Sequence, residues 1–572
     1  MIRKYLSIGD VSLKKLTLMY FLMLIAGILE VASIGLILPI FQFLVDGNFT
    51  DNTYVLKLIN TKMFNFLSLY DDKFILIFLT SSIVLIFFIK NIYLVFFGYY
   101  QTVFILNIET KLSIKLYKNY IFSSIQKISG KFSSEIIRNV INQSALYAGN
   151  FIFTLLIISV ELITFSLILI FLFLNYPFET LILFSIFIVM ASIYFLYIKN
   201  KIFLLSSGIQ KSTQERIKLL QEGFGAQKEI KIFNFENIFL KRYSLQSFKV
   251  MRNSKLVALF RILPRHCFEL VSIVLIVVFI IYKFNSNDEF SDILPQLGLF
   301  VLAGIRILPS INRTLNAFQR FKESMPIVIN LYNEELQFSD IELKENVKKF
   351  DYKKYINLDK ISFKYSKSNN HIFKDLNLNI EKGKSYFLCG GSGQGKSTLA
   401  EIISGLLVPD KGGIEVDGIN INNNIKGWQD NISYLPQSVY IFNASIKDNI
   451  LFGEDEKHFR ENDYNNALLS SNIYDLATKL GNNNVGDNGS KLSSGQIQRI
   501  GLARALYKKN TNLIIFDEIT ANLDKKNEED IIQNIIKIKN GLTILFISHN
   551  MDLSENFDNV LEISNKSIKN IK

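Results

Sequence analysis

The chain has two textures. In its first half, long apolar runs are separated by basic stretches; in its second, short β-rich runs alternate with segments of helical period. Six apolar segments stand out, at about 17–44, 74–99, 151–174, 178–198, 267–283 and 291–309. Most reach the ~20 residues that a helix needs to cross the hydrocarbon of a bilayer. The fifth and sixth are shorter and more polar. Basic residues crowd particular connections: Arg3, Lys4, Lys14 and Lys15 before the first segment, Lys111 to Arg138 between the second and third, and Lys199 to Lys255 between the fourth and fifth. The remaining connections are short or mixed in sign. The positive-inside rule then places both termini and the two long basic connections on the cytoplasmic side.

Those two connections keep a helical period, so they are expected to continue the membrane helices well beyond the bilayer. Their tips fall near Ser123–Gly130 and Gly223–Asn234. Residues 53–70 place Val55, Leu56, Ile59, Phe64 and Leu67 at helical spacing, so they read equally well as an external interfacial helix or as a loop. From about 310 to 350 the chain reads as a charged linker, and beyond it as an α/β domain. The expected division is a transmembrane domain over 1–320, a linker over 321–352 and an α/β phosphate-loop domain over 353–572.

Length and composition agree with this division. A chain of 572 residues is too long for one core. Hydrophobic residues make up 49% and the mean hydropathy is +0.24, high for a chain with a large aqueous part. The net charge of +12 is accounted for by the loops beside the apolar segments, and no basic motif interleaved with aromatics suggests nucleic acid. Cys267 and Cys389 do not form a disulfide framework. The first apolar stretch is too long for a cleavable leader and no small-residue cleavage site follows it, so the first helix is expected to be retained.

The strongest chemical signal is the run from Gly390 to Thr398, which fits G-x-x-x-x-G-K-[ST] between a strand-like Tyr386–Cys389 and a helix-forming Leu399–Ser404. Gly390, Gly393 and Gly395 let backbone N–H groups turn toward phosphate oxygens. Lys396 reaches the terminal phosphates, Ser397 binds Mg²⁺, and Thr398 completes the motif. A second apolar strand, Leu513–Phe516, delivers Asp517 and Glu518 to one end. There Asp517 can hold Mg²⁺ and Glu518 can polarise an attacking water.

Between them stands Leu492-Ser493-Ser494-Gly495-Gln496. In order with the other motifs, it resembles the LSGGQ signature of the ATP-binding cassette (ABC) family, with Ser494 in place of a glycine. The resemblance is specific over roughly 340–572 and weaker over the six apolar segments. It implies further roles. Tyr365 would stack on adenine, and Gln437 would sense Mg²⁺ and the membrane part. Ser493, Gly495 and Gln496 would grip ATP held by a second copy, Asp524 would cross to that copy, and His549 would act as a γ-phosphate switch. Val485-Gly486-Asp487-Asn488-Gly489 resembles the exporter loop that meets the intracellular helices, with Asp487 where Glu is usual. The implied protein is a half-transporter of type I ABC exporter fold, consuming ATP with Mg²⁺ as a homodimer in a bacterial cytoplasmic membrane.

Charges inside apolar segments suggest the cargo, because they are costly there. Glu30, Lys90, Glu161, Arg265, Glu269 and Arg306 fall in or at the edge of such segments. Lys90, Arg265 and Arg306 could line a cavity and hold a phosphate or pyrophosphate. Simple snorkelling and internal ion pairing are the structural alternatives. The phrases around these residues, with Glu30 and Pro39, resemble lipid-linked oligosaccharide flippases among the ABC exporters. That resemblance implies an anionic lipid-linked glycan as cargo. Exporters of peptides, other lipids or drugs remain open alternatives. So does a channel or receptor regulated by ATP, whereas a cassette serving DNA repair or translation is disfavoured by the apolar half.

Overall fold

The computed structural model describes residues 2–35, 71–285, 290–338, 350–365, 370–519, 529, 532–535 and 541–572. Residues 53–70, open between an external helix and a loop, the end of the first apolar segment and Asp524 lie outside them. The chain divides into two compact units: Met1–Ser123 with Lys131–Ile341, and Ser124–Gly130 with Glu342–Lys572.

The first unit is helical. Its elements are α1 (Ile2–Leu6), α2 (Leu13–Gly35), α3 (Asp72–Phe122), α5 (Phe153–Asn175), α6 (Pro177–Gly225), α7 (Gln227–Ile232), α8 (Glu236–Asn285) and α9 (Phe290–Phe338), while α4 (Ile125–Ile128) groups with the second unit. α6 packs along α8, and α5 packs against both α2 and α9. Among the described residues five spans are long and apolar enough to cross a membrane: Lys14–Ala32, Lys73–Phe122, Ser133–Leu174, Pro177–Ile198 and Glu236–Tyr282. The sixth apolar segment lies at the start of α9, outside that set. At 1.5 Å per residue, the 51 residues of α3 and the 49 of α6 extend over ~75 Å, far beyond ~30 Å of hydrocarbon. Both tips are built as expected, each as a short helix (α4 and α7) between long ones.

The linker expected from 321 is corrected. α9 continues to Phe338 because its charged residues share the helix with a buried face of Ile327, Val328, Leu331 and Phe338. Its acidic end is also held. Glu334 accepts hydrogen bonds from Tyr120 Oη (2.7 Å) and Lys131, and Asn139 donates to Tyr120 Oη (3.0 Å). Glu335 pairs with Lys115 at 2.7 Å. Asn139 and its buried neighbour Arg138 lie in a π-helical turn, Arg138–Gln143, and a second such turn spans Tyr147–Ile152. A widened helix turns both side chains into this polar cluster.

The second unit is α/β. A four-stranded antiparallel sheet, in the order β2-β1-β4-β5, contains β1 (Tyr355–Phe363), β2 (Phe373–Glu381), β4 (Lys411–Val416) and β5 (Ile419–Asn420). A six-stranded sheet, in the order β10-β9-β3-β8-β7-β6, contains β3 (Ser385–Gly390), β6 (Ile432–Leu435), β7 (Leu513–Asp517), β8 (Thr543–Ile547), β9 (Asn559–Ser564) and β10 (Ser567–Asn570). All of its pairs are parallel except β10 with β9. One buried cluster joins Trp428, Phe363 and Phe373 to Leu388 and Ile515; Phe387, Phe516 and Phe546 lie in another. Strands covered on both faces read as unbroken apolar runs, which is why β7 and β8 are buried throughout.

Gly412, at the start of β4, has φ +82°, and a Cβ there would lie 2.3 Å from Asp359 O and 2.5 Å from Lys360 O. Backbone cannot retreat as a side chain can. Gly412→Ala is therefore expected to cost about 3 kcal/mol or more and to lower the thermal midpoint of the second unit by several degrees. A midpoint unchanged from the parent would contradict this.

Candidate functional site

The parallel register gathers the chemistry at one edge of the sheet. Leu388 is level with Ile547, Asp517 with Ile547, and Leu435 with Phe516. The phosphate loop after β3, Gln437 after β6, Glu518 after β7 and His549 after β8 thus leave the same carboxyl ends.

Three glycines of the loop take positive φ: Gly390 (145°), Gly393 (77°) and Gly395 (101°). Gly395 immediately precedes α10 (Lys396–Ile403), whose N-terminus presents unpaired amides to an anion. The Lys396 side chain is buried, and its Nζ donates to Gly390 O and Gly391 O, each at 3.1 Å. Burial pushes this ammonium below its usual pKa, while Glu518 and Asp517 pull the other way. Two backbone carbonyls thus fix the cation beside the loop.

Ser397 Oγ donates to Asp517 Oδ1 at 3.1 Å and Tyr434 Oη donates to Asp517 Oδ2 at 3.2 Å. Asp517 is 2% exposed. Burial raises its carboxyl pKa, and the two hydroxyl donors partly offset that rise. Among the described residues, no cluster of three or more His, Cys, Asp or Glu would hold a metal alone. A serine hydroxyl beside one carboxylate suits Mg²⁺, which keeps waters and takes substrate phosphates as its other ligands.

Glu518 sits in the left-handed region, φ 52°, with its N–H donating to Ile547 O at 3.0 Å. That sharp turn points its carboxylate away from the strand. Its Oε1 is 2.8 Å from His549 Nε2 and 3.9 Å from Lys396 Nζ, and its Oε2 accepts from Gln437 Nε2 at 2.6 Å. Gln437, expected near the metal, has its amide turned to Glu518 instead. His549 Nε2 also lies 3.2 Å from Lys396 Nζ. Lys396, Glu518, His549 and Gln437 therefore form one contiguous group.

Tyr365 is 41% exposed, packs edge-on against Phe363, and lies 3.2 Å through its hydroxyl from Thr398 Oγ1. It leaves an open aromatic face beside the loop. Ser493 caps α11 (Ser494–Tyr507): its Oγ accepts from Gln496 N at 3.3 Å, and its own N–H donates to Gln496 Oε1 at 2.9 Å. Ser494 opens the helix with an ordinary negative φ, so the departure from glycine carries no backbone strain. Ser493 and Ser494 face solvent. Among the described residues, no hydrogen bond joins Ser493, Gly495 or Gln496 to Lys396, Ser397 or Asp517. One chain does not bring the signature to its own phosphate loop.

The expected cargo residues are not alike. Lys90 is buried, with Nζ 4.2 Å from the Phe87 ring centroid, whereas Arg265 is exposed. The Arg306 side chain lies outside the described residues. Glu161 is buried in an ion pair with Arg313 and also accepts from Ser310 Oγ. Sequence reasoning missed Arg313 because 310–350 read as linker. It missed Tyr434 because a tyrosine inside an apolar strand looks like core.

Comparison with known proteins agrees with this geometry. The ABC transporter family model matches residues 373–521. Over the whole fold, the chain resembles a bacterial Atm1-family ABC exporter solved with ATP bound, with a TM-score of 0.78 at 17% identity, covering 98% of this chain and 95% of that one. The chain therefore carries an ABC transporter ATP-binding domain and has the fold of an ABC exporter, with helices long and apolar enough to cross a membrane. Its relatives include the ATP-dependent lipid A-core flippase of Blochmanniella floridana, 31% identical over 46% of each chain. That of Alkalilimnicola ehrlichii is 26% identical over 62% of this chain and 61% of its own. The ATP-dependent permease MDL1 of Candida albicans is 36% identical over 35% and 30%. The matches thus span less than two thirds of these relatives' length.

Proposed function

We propose that the chain is an ATP-driven exporter of the bacterial cytoplasmic membrane. It works as a homodimer with both termini and the ATPase unit cytoplasmic, and its cargo is a polyprenyl-pyrophosphate-linked oligosaccharide. The observation that carries the ATPase reading is the convergence of Lys396, Glu518, His549 and Gln437 beside the Ser397–Asp517 pair.

In this reading the loop amides and Lys396 bind the β- and γ-phosphates of ATP, and Tyr365 stacks on the base. Ser397 and Asp517 hold Mg²⁺, which neutralises charge on the phosphates. Glu518 orients the attacking water and takes its proton, with His549 and Gln437 fixing the carboxylate until phosphate arrives. Ser493, Gly495 and Gln496 serve the ATP of the second copy, which accounts for the solvent-facing position of Ser493. Asp524 is assigned to the crossing between copies on family resemblance alone. Closure of the two cassettes drives the membrane helices. Ile125, the first residue of the α4 tip, lines a groove of about 970 Å³ with Tyr440, Phe452 and Arg504 of the second unit, a seat suited to passing that motion on.

The cargo assignment rests on Lys90, Arg265 and Arg306 as cations for a pyrophosphate. Lys90→Ala, Arg265→Ala and Arg306→Ala combined should abolish movement of a fluorescent pyrophosphate-linked glycolipid in proteoliposomes. Basal ATP hydrolysis should stay within about twofold, since all three belong to the helical unit and the nucleotide group to the α/β unit. Normal flipping by the triple variant would exclude this cargo site. A second reading, export of another glycolipid, is favoured by the relatives named lipid A-core flippases. Competition between the two lipid classes in the same assay separates them.

A further inference from the structure

A cavity of about 270 Å³ lies outside the nucleotide group, at the foot of α2 and α3. Asp10, Ser12, Lys15, Tyr100, Asn107 and Lys111 supply its polar and basic lining. Its floor is a firmly held segment. Ile8 and Gly9 are buried, Tyr147 Oη donates to Tyr5 O at 2.8 Å, and a Cβ on Gly9 would meet Tyr147 Cε1 at 2.9 Å. Asp10, the one acid in the lining, pairs at 3.2 Å with Lys115, which it shares with Glu335 at 2.7 Å and whose Nζ also donates to Ile8 O. The Lys15 and Lys111 side chains have no hydrogen bond or ion pair with any other described residue, so two ammonium groups against one acid leave the lining net positive.

The cavity's level on the helices is informative. On one side of it α2 exposes Leu18 and Phe21, and α3 exposes Val95, Phe96 and Tyr99, an apolar surface made for acyl chains. On the other side come Lys111, Lys115 and Lys118. The cavity thus opens where apolar surface gives way to charge. Its lining combines two ammonium groups with hydroxyl and amide donors, and Ser12 leads into the N-terminus of the 23-residue α2.

We propose that this cavity binds the phosphate-bearing headgroup of an anionic phospholipid from the cytoplasmic leaflet, with the acyl chains lying along Phe21, Phe96 and Tyr99. The proposal rests on the reading that α2 and α3 cross the bilayer with the basic connections in the cytoplasm. A soluble phosphate could satisfy the same donors, but only a lipid also uses the apolar strip above them.

Native mass spectrometry of the detergent-purified full chain, titrated with phosphatidylglycerol or phosphatidylcholine, tests this. Phosphatidylglycerol should be retained in preference. Lys15→Gln with Lys111→Gln should weaken its retention roughly 30-fold, since each lysine near a headgroup contributes about a factor of five. Lys15→Arg with Lys111→Arg should restore it, and Lys228→Gln with Lys241→Gln, on the other basic connection, should leave it unchanged. Equal loss in that control pair, or no loss in the Lys15/Lys111 variant, would overturn the site. Displacement of the lipid by inorganic phosphate at equal concentration would overturn the lipid as its occupant. ATP turnover in phosphatidylcholine discs is measured alongside, so that failure of the transporter reading is seen separately from failure of this one.

Discussion

Glu518→Gln is expected to lower ATP turnover by about a thousandfold, ~4 kcal/mol of transition-state stabilisation, while ATP affinity is retained. The two outcomes follow from the same contacts. The substituted amide keeps the shape of the side chain, and its oxygen can still accept from Gln437 Nε2, which now donates to Glu518 at 2.6 Å. What is lost is the charge and basicity that draw a proton from water. Lys396 loses a carboxylate 3.9 Å away but keeps the closer Gly390 O and Gly391 O, each at 3.1 Å, so its place beside the phosphates is held. Phosphate release by the purified chain, together with binding of a fluorescent ATP analogue, checks both halves. Turnover within tenfold of the parent would remove Glu518 from its assigned role.

The second large effect concerns two glycines of one loop that behave oppositely. Gly395 has φ 101°, and its missing Cβ would sit 2.5 Å from Ile372 Cγ2 and 2.9 Å from Phe373 Cζ. Phe373 is fully buried, so neither the backbone angle nor the neighbour can give cheaply. Strain of about 3 kcal/mol placed at the entrance of α10 predicts a fall in ATP affinity of about a hundredfold or more for Gly395→Ala. Gly391 has no positive φ, and the atoms nearest its Cβ would belong to the flexible Gln394 side chain, at 3.1 Å. Gly391→Ala should therefore bind ATP within a few-fold of the parent. Similar losses at both positions would show that loop flexibility in general, rather than the fit at Gly395, governs binding.

How far these features were legible in the sequence depends on how local their causes are. The phosphate loop, the Asp517-Glu518 strand end and the signature are short runs whose spacing follows from one turn or one strand. The long helical extensions beyond the apolar segments were visible because basic residues did not interrupt the helical period. The end of α9 was misread for the opposite reason. Glu334 and Glu335 look like linker charges until Tyr120, Lys131 and Lys115, some 200 positions away, are found beside them. Arg313 with Glu161 is a second pairing of that kind, and its partner lies 152 residues off. Tyr434 was hidden by type: its ring belongs to the core while its hydroxyl serves Asp517. Hydrophobic pattern reports which face is buried; it does not report which buried polar atom meets which.

The central claim is that ATP is held between the phosphate loop of one copy and the signature of another. Ser392→Cys and Ser493→Cys, combined in a Cys267→Ser background that removes the exposed native thiol, place one thiol at each of these solvent-facing positions. Oxidative cross-linking of this protein in lipid vesicles, with Mg²⁺-ATP and with nucleotide removed, measures the contact directly. The account predicts a covalent dimer that forms with ATP and is largely lost without it. A chain that stays monomeric under oxidation with ATP bound would contradict it.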